Sequence, residues 1–214
     1  MDVEIRYSPA FSLAIVRPGV GEALRADPCS VMSRSSGVHV RSSEDTVLDS
    51  VKRGVLGTGP VPTTVWLAER DGAEITFAPA LPGDIIHWVL QDHTLFLRSG
   101  AFLAASTALM VESDWTGSAV PLSRLQRSHL LRVSGRGDLL VASYGSVHSV
   151  DLHAEDSYTV SSGHVIGWSD SVVYRISSGV SGDEDQIELT GPGRLYLQTR
   201  SALTLARTLA SRRA

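Results

Sequence analysis

Cysteine and lysine are almost absent from this chain of 214 residues: Cys29 is the single cysteine and Lys52 the single lysine. One cysteine excludes an intramolecular disulfide, and a cysteine-based zinc or iron–sulfur site would need other chains. We expect Cys29 to be a small buried thiol, the alternative being a nucleophile. Arginine supplies every other basic residue, which suggests a GC-rich bacterial genome.

Long apolar runs, aromatic residues and basic charge are also scarce. No apolar stretch reaches the length of a membrane span, and the first residues form neither a signal peptide nor a transit peptide. A net charge of −4 and an aromatic content of 6% argue against nucleic-acid binding, which needs exposed basic and aromatic side chains. We therefore expect a cytoplasmic protein with no membrane span and no nucleic-acid partner.

Short runs of alternating apolar residues, separated by Gly, Pro, Asp and Ser, predict a mostly β chain. The clearest runs are residues 64–67, 74–77, 139–141 and 194–197. Helical periodicity is confined to short segments, at 48–55 and 121–127 and over 202–210. In the last segment, Leu203, Ala206 and Leu209 are spaced to form a stripe that docks on the sheet.

Two patterns recur three times along the chain. The first is an apolar strand, a glycine-containing turn and a second apolar strand, which we interpret as a hairpin. Its turns lie at Gly72, at 135–137 and at 191–193. The second is an elbow of small residues followed by an apolar strand, at 26–31, 98–103 and 161–166. Because both patterns keep the same cyclic order, they predict true repetition.

The fold class predicted from these patterns is all-β, a single sandwich or barrel-like domain over residues 1–214 with three degenerate pseudo-threefold repeats. It has short connector helices and a short C-terminal helix. The predicted repeat units are residues 187–200 plus 11–43, 63–114 and 128–179. In a closed ring, residues 187–200 would pair beside 13–16, which would remove exposed sheet edges.

Several segments resemble the Altered Inheritance of Mitochondria twenty-four family, a mitochondrial biogenesis family with mostly bacterial members. They are residues 78–85, 99–104, 143–148, 163–165 and 191–201, the last containing Gly-Pro-Gly and Tyr-Leu-Gln-Thr-Arg. The resemblance implies a β fold grouped with the tryptophan RNA-binding attenuation protein. It implies an assembly role for the mitochondrial members and no established enzyme activity, cofactor or catalytic residue. The connectors at 48–62, 114–127 and 179–185 depart from the family's pattern, because they are poorer in glycine and almost free of lysine, and the third is acidic.

The histidines and serines do not form a recognisable catalytic or metal-binding motif. The sequence contains no His-x-His, His-Glu-x-x-His or Gly-x-Ser-x-Gly, so we expect no metal site and no cofactor. His87 and His148 are interpreted as equivalent positions of two repeats, either on the solvent side of a strand or hydrogen-bonded in the core. The alternative is that they bind a metal or an anion near the threefold axis.

The candidate ligand-binding residues are Tyr144, His148, His164 and Trp168, an aromatic and histidine group of the third repeat that is suited to line a small pocket. The alternative for His164 is that it hydrogen-bonds carbonyl groups of its own turn.

The leading functional hypothesis is a non-enzymatic scaffold or interaction protein that self-associates into a homo-oligomer, with other protein partners possible. The alternative is a β protein that binds a small molecule, conceivably a cofactor-free enzyme of a bacterial biosynthetic pathway. RNA binding is a weaker third reading, because kinship with an RNA-binding fold does not carry function.

Overall fold

The computed structural model describes residues 1–41, 64–113, 130–177 and 185–211. These residues form nineteen β-strands, which are numbered here in chain order. The strands are β1 Asp2–Arg6, β2 Leu13–Arg17, β3 Ala23–Ala26, β4 Val31–Arg34, β5 Val38–Arg41, β6 Thr64–Ala68, β7 Ile75–Phe77, β8 Ile85–Gln91, β9 Leu95–Arg98, β10 Phe102–Ser106, β11 Met110–Ser113, β12 Leu130–Ser134, β13 Arg136–Ala142, β14 Val147–Leu152, β15 Ser157–Ser161, β16 Val165–Ser169, β17 Val173–Ser177, β18 Gln186–Thr190 and β19 Gly193–Gln198. The predicted strand runs and the all-β class are therefore confirmed.

The elbows predicted from the sequence contain three short 3-10 helices: Pro28–Ser30, Ser99–Ala101 and Ser162–His164. We call them the first, second and third elbow. Each leads directly into a strand, namely β4, β10 and β16. The predicted helices at 48–55 and 121–127 lie outside the described residues.

The strands form four antiparallel sheets. The N-terminal sheet has the order β1-β2-β7-β4, and the C-terminal sheet has the order β15-β18-β17. Between them lie a first six-stranded sheet, β5-β6-β3-β10-β13-β8, and a second, β11-β12-β9-β16-β19-β14. Three apolar clusters join consecutive sheets. The first contains Phe77 and Leu140, the second Leu139 and Leu97, and the third Leu195 and Ile187.

The strand orders of the sheets differ by a constant offset. Adding six to every strand number of the first six-stranded sheet gives the second one, and adding six again to β11, β12 and β9 gives the C-terminal sheet. Each strand that follows an elbow also carries an irregularity in its pairing at its start, between Val31 and Ser33, Phe102 and Ala104, and Val165 and Gly167. These regularities agree with the threefold repeat, which stays a prediction.

The three predicted hairpins are wrong, although their strands are present. β12 belongs to the second six-stranded sheet and β13 to the first, and the chain passes between the sheets at Gly135, whose φ is 109°. The strand pairs β6 and β7, and β18 and β19, likewise lie in different sheets. A glycine turn between two apolar strands suits a corner between packed sheets as well as a hairpin. The sequence pattern cannot distinguish the two arrangements.

The predicted pairing of residues 187–200 with 13–16 is also wrong. β2 pairs with β1 and β7, whereas β18 pairs with β15 and β17, and β19 with β14 and β16. Within the described residues, no strand pair joins the C-terminal sheet to the N-terminal sheet. The outer strands β4 and β15 are therefore left as sheet edges, and we call these two edges the seam.

The C-terminal α-helix spans Ala202–Ser211. The predicted docking stripe is only partly right, because Leu203 is buried whereas Ala206 and Leu209 are exposed. The helix lies against the third elbow. Among the described helices, none is long and apolar enough to cross a membrane.

Candidate functional site

Three segments of the chain contact one another: the loop after β7, the loop after β13 and the segment after β19. Gly83 and Gly145 form a parallel bridge, and the Gly145 amide donates to the carbonyl of Pro82 at 2.9 Å. A Cβ atom on Gly83 would lie 1.9 Å from the carbonyl oxygen of Ser143, so only glycine allows this approach. The Thr199 amide donates to the carbonyl of Ser146 at 3.0 Å. The loops therefore form one connected surface.

Gln198 ties these loops to the third elbow. Its Oε1 accepts a hydrogen bond from the Tyr144 amide at 2.9 Å, and its Nε2 donates to the carbonyl of Gly163 at 2.8 Å. Its own carbonyl lies 2.9 Å from Nδ1 of His164, the geometry of a hydrogen bond donated by the imidazole. Because the Gln198 side chain is buried, each of these bonds replaces contact with water.

A small cavity of about 120 Å³ lies beside this network, between the first and second elbows. Cys29 of the first elbow and Asp27, the residue before it, contribute to its wall, as do Gly100 of the second elbow and Arg98, the residue before that one. Residues of the loops after β7 and β13, together with Gln198, complete the wall. The cavity thus combines buried polar groups with apolar surface, as ligand sites commonly do.

The four candidate ligand-binding residues occupy different environments. Tyr144 is half-buried and lines the cavity. His164 bonds the carbonyl of Gln198 at the end of β19, and not a carbonyl of its own turn as the alternative had it. Trp168 is completely buried, within 5.1 Å of the ring centroid of Tyr174, and contributes to the third apolar cluster. His148 is exposed on the edge strand β14. Of the four, only Tyr144 borders the cavity.

The interpretation of His87 and His148 as equivalent positions is wrong. The first registered pair after the second elbow is Phe102 with Val141, and after the third it is Val165 with Leu197. His87 lies opposite Leu140, one residue before Val141, whereas His148 lies opposite Leu197 itself. The two histidines therefore differ by one residue in register, which places them on opposite faces of their strands.

His87 has a specific partner on the neighbouring strand. Its Nε2 lies 2.8 Å from Oδ1 of Asp138. Because both side chains are partly buried, this contact fixes the imidazole of His87 across β8 and β13.

The cavity residues Asp27, Cys29 and Arg98 were missed as site candidates. The expectation of a buried Cys29 is wrong, since its thiol is exposed. One signal was available in the sequence: the residue before each elbow is Asp27, Arg98 and Ser161 in turn. The Asp27 carboxylate accepts a hydrogen bond from the Cys29 amide at 2.9 Å and so caps the first elbow, whereas the second and third elbows have no such side-chain cap.

A profile of the family described as Mitochondrial biogenesis AIM24 matches residues 3–200, nearly the whole chain. The chain belongs to this family. An uncharacterized protein of Streptococcus pyogenes serotype M6 is 28% identical over 152 residues, which cover 67% of this chain and 60% of the relative. This chain therefore matches less than two thirds of that relative's length.

A solved structure supports the architecture. The X-ray crystal structure of a protein from Streptococcus pyogenes matches with a TM-score of 0.82 and 21% sequence identity, covering 98% of each chain. At this identity the likeness shows the fold and carries no statement about function.

Proposed function

We propose that this chain is a non-enzymatic interaction protein that self-associates, and that the seam is where copies meet. In this arrangement β15 of one copy pairs with β4 of another. The proposal is carried by one observation: two apolar side chains at the seam are exposed although their counterparts elsewhere in the molecule are buried. The proposed scaffold role and cytoplasmic location follow from the sequence and stay predictions.

The counterparts are identified by strand order and register. β3 pairs with β10 and β9 pairs with β16, in both cases joining the two halves of a six-stranded sheet. The offset of six strands makes β15 the counterpart of β3 and β9. Apart from β1, the strands β2 to β19 fill the eighteen positions of a cyclic threefold arrangement. In that cycle the position six strands after β16 is β4, which makes β4 the counterpart of β10 and β16. These two strands have no pairing with each other in the described structure.

The side chains on the seam differ accordingly in exposure. Met32 follows the first residue of β4 and is 61% exposed, whereas Leu103 and Ile166 at the matching positions are 4% and 0% exposed. Tyr158 in β15 is 39% exposed, whereas its counterparts Leu24 and Leu95 are buried. Apolar side chains at an unpaired strand edge favour addition of another strand.

A second copy is the partner that fits this edge. β4 and β15 are both present on every copy, and the pairs β3–β10 and β9–β16 show that such strands fit each other in this fold. If two copies exchange these contacts reciprocally, the result is a closed dimer with both seams covered, whereas one-way pairing gives a ring or a filament.

Size-exclusion chromatography with light scattering tests the proposal. The wild-type chain is expected to show a mass of two or more copies that falls on dilution. A double variant, Ser33→Lys with Thr159→Lys, places charge on both seam strands and is expected to elute as a monomer. Ser149→Lys is the matched control, because Ser149 is an exposed residue of the edge strand β14, away from the seam.

A monomeric wild type across the concentration range would contradict self-association. An oligomer that survives the double variant but is lost in the Ser149→Lys control would place the interface on β14 and contradict the seam assignment. Circular dichroism of all variants shows whether each keeps the β fold.

A further inference from the structure

We propose that Met32 is a modification site of the seam, at which oxidation of the thioether to the sulfoxide by a peroxide separates the associated copies. Reduction of the sulfoxide lets the copies associate again. This inference rests on the proposed self-association, because it names the residue that controls it. The unoxidised protein tests self-association, and the oxidised protein tests the inference.

Met32 occupies an irregular position of β4. The pairing of β4 with β7 shifts at this residue, which leaves Met32 without a registered partner. Leu103 and Ile166 hold the same irregular position in β10 and β16, and both are buried. A position that is buried and aliphatic in two places is therefore an exposed thioether in the third.

The buried counterparts of Met32 identify the residue that it meets across the seam. Each counterpart shares an apolar cluster with a residue of the strand paired to it: Leu103 with Leu24, and Ile166 with Leu95. Tyr158 of β15 is the counterpart of these two leucines. Pairing of β15 with β4 of another copy therefore brings Met32 against the Tyr158 ring. A thioether beside an aromatic ring is a favourable contact, which supports this assignment.

Oxidation changes this contact because it makes the side chain polar. The sulfur of Met32 attacks one oxygen of hydrogen peroxide, so that an S–O bond forms and the O–O bond breaks. The departing hydroxide takes the proton from the oxygen bound to sulfur and leaves as water. Sulfur is thereby oxidised by two electrons and the peroxide is reduced by two. The sulfoxide oxygen would lose its hydration against apolar side chains, so the modified copies stay apart.

A second methionine of the chain provides an internal reference. Met110 in β11 is 58% exposed, close to the 61% of Met32, and β11 is an edge of the second six-stranded sheet, away from the seam. Met1, the third methionine, packs against the first apolar cluster. Association is therefore expected to shield Met32 from peroxide and to leave Met110 unprotected.

Peroxide footprinting tests this shielding. All proteins carry Cys29→Ser, because the exposed thiol of Cys29 would also be oxidised. Samples above and below the concentration at which half of the copies are associated are treated with hydrogen peroxide, and mass spectrometry gives the rate at which each methionine is oxidised. In the associated protein, Met32 is expected to react several-fold more slowly than Met110. After dilution the two rates are expected to be similar.

Light scattering of the oxidised protein tests the effect on association. Complete oxidation of Met32 is expected to raise the dissociation constant about tenfold or more. Thiol-dependent methionine sulfoxide reductases for both sulfoxide epimers are expected to restore it, with two thiols converted to a disulfide and the sulfoxide oxygen released as water. Met32→Leu copies the side chain of Leu103 and is expected to associate and to resist peroxide. Met110→Leu is the matched control and is expected to stay as sensitive as the parent protein.

Met32→Gln introduces a polar side chain of similar length without any oxidant. It is expected to raise the dissociation constant about tenfold, whereas Met110→Gln is expected to leave it unchanged. Because both methionines are exposed in a single copy, neither substitution is expected to lower the temperature of thermal unfolding. Circular dichroism checks this for every variant and for the oxidised protein.

The outcomes separate the two proposals. An unoxidised protein that is monomeric at every concentration overturns self-association and this inference together. An oligomer whose dissociation constant is unchanged after complete oxidation of Met32 overturns this inference alone. Equal oxidation rates of Met32 and Met110 in the associated protein, or a Met32→Leu oligomer that peroxide still separates, also overturn this inference alone. Should oxidation unfold the chain, a folded Met32→Gln variant with the parent's dissociation constant overturns it.

Discussion

The side-chain oxygen of Gln198 accepts a hydrogen bond from the backbone amide of Tyr144 at 2.9 Å. The same side chain donates to the third elbow through Gly163. One glutamine thereby fixes the loop after β13 against the elbow before β16, and it does so while buried. The matching position in the neighbouring sheet holds Ala142, and the cavity lies there.

Gln198→Ala is expected to destabilise the protein by roughly 1–3 kcal/mol, because it removes two buried hydrogen bonds and leaves a space. The free energy of unfolding is measured by urea denaturation. Gln91→Ala is the control, since Gln91 is exposed on β8, and it is expected to change stability by no more than about 0.5 kcal/mol. Equal effects of the two substitutions would show that the network adds no stability.

Gly83→Ala is expected to be strongly destabilising, by about 3 kcal/mol or more, because the new Cβ atom would lie 1.9 Å from the backbone oxygen of Ser143. At Gly100 a Cβ atom would meet nothing within 4 Å, and Gly100→Ala is expected to be nearly neutral. Thermal unfolding of both variants checks the contrast. A Gly83→Ala protein as stable as Gly100→Ala would mean that the two loops do not approach as described.

The sequence predicted local structure well and the connections between sheets poorly. Strands such as β19 and the three elbows follow from alternation and from small residues, which are local properties. Whether β12 and β13 belong to one sheet or to two depends on the turn at Gly135, which can fold the chain back as a hairpin or lead it to the next sheet. A hairpin turn and a corner between sheets use the same residue types. Strand pairing is non-local, so the hairpins and the closed ring were predicted incorrectly.

The candidate site shows the same division between local and non-local information. Tyr144 was identified, because an aromatic residue beside a glycine turn is visible in the sequence. Trp168 was misplaced, since burial depends on packing against Phe96 and Tyr174 from other strands. Asp27 and Arg98 are 71 residues apart in the chain, and only the fold brings their elbows to one cavity.

Glu4 provides a test by pH. Hydrogen bonds from Arg6 at 2.7 Å and then from Arg17 at 3.2 Å hold the pKa of the Glu4 carboxyl group below its usual value. A lowered pKa in the folded state stabilises the protein above the pKa of the unfolded state, and this contribution is lost as the pH falls through the folded-state value. The difference in stability between wild type and Glu4→Gln is therefore expected to shrink on acidification.

The Glu4 titration itself is followed by NMR of the side-chain carboxyl carbon. Arg6→Ala is expected to raise the pKa of Glu4, because it removes the larger of the two stabilising hydrogen bonds. Arg132→Ala removes a guanidinium group that contacts Glu112 instead and is expected to leave Glu4 unchanged. A Glu4 pKa that does not respond to Arg6→Ala would contradict the described ion pair.

The most direct test of the seam is a cross-link between two differently marked copies. In a Cys29→Ser background, one protein carries Ser33→Cys in β4 and the other carries Val160→Cys in β15. These positions match Ala104 and Ala26, which are directly opposite each other in β10 and β3. On mild oxidation of the mixture, we predict a disulfide-linked dimer containing one copy of each variant. An unlinked mixture, together with an internal disulfide when both cysteines are placed in one chain, would show that the seam closes within a single copy and would contradict the account.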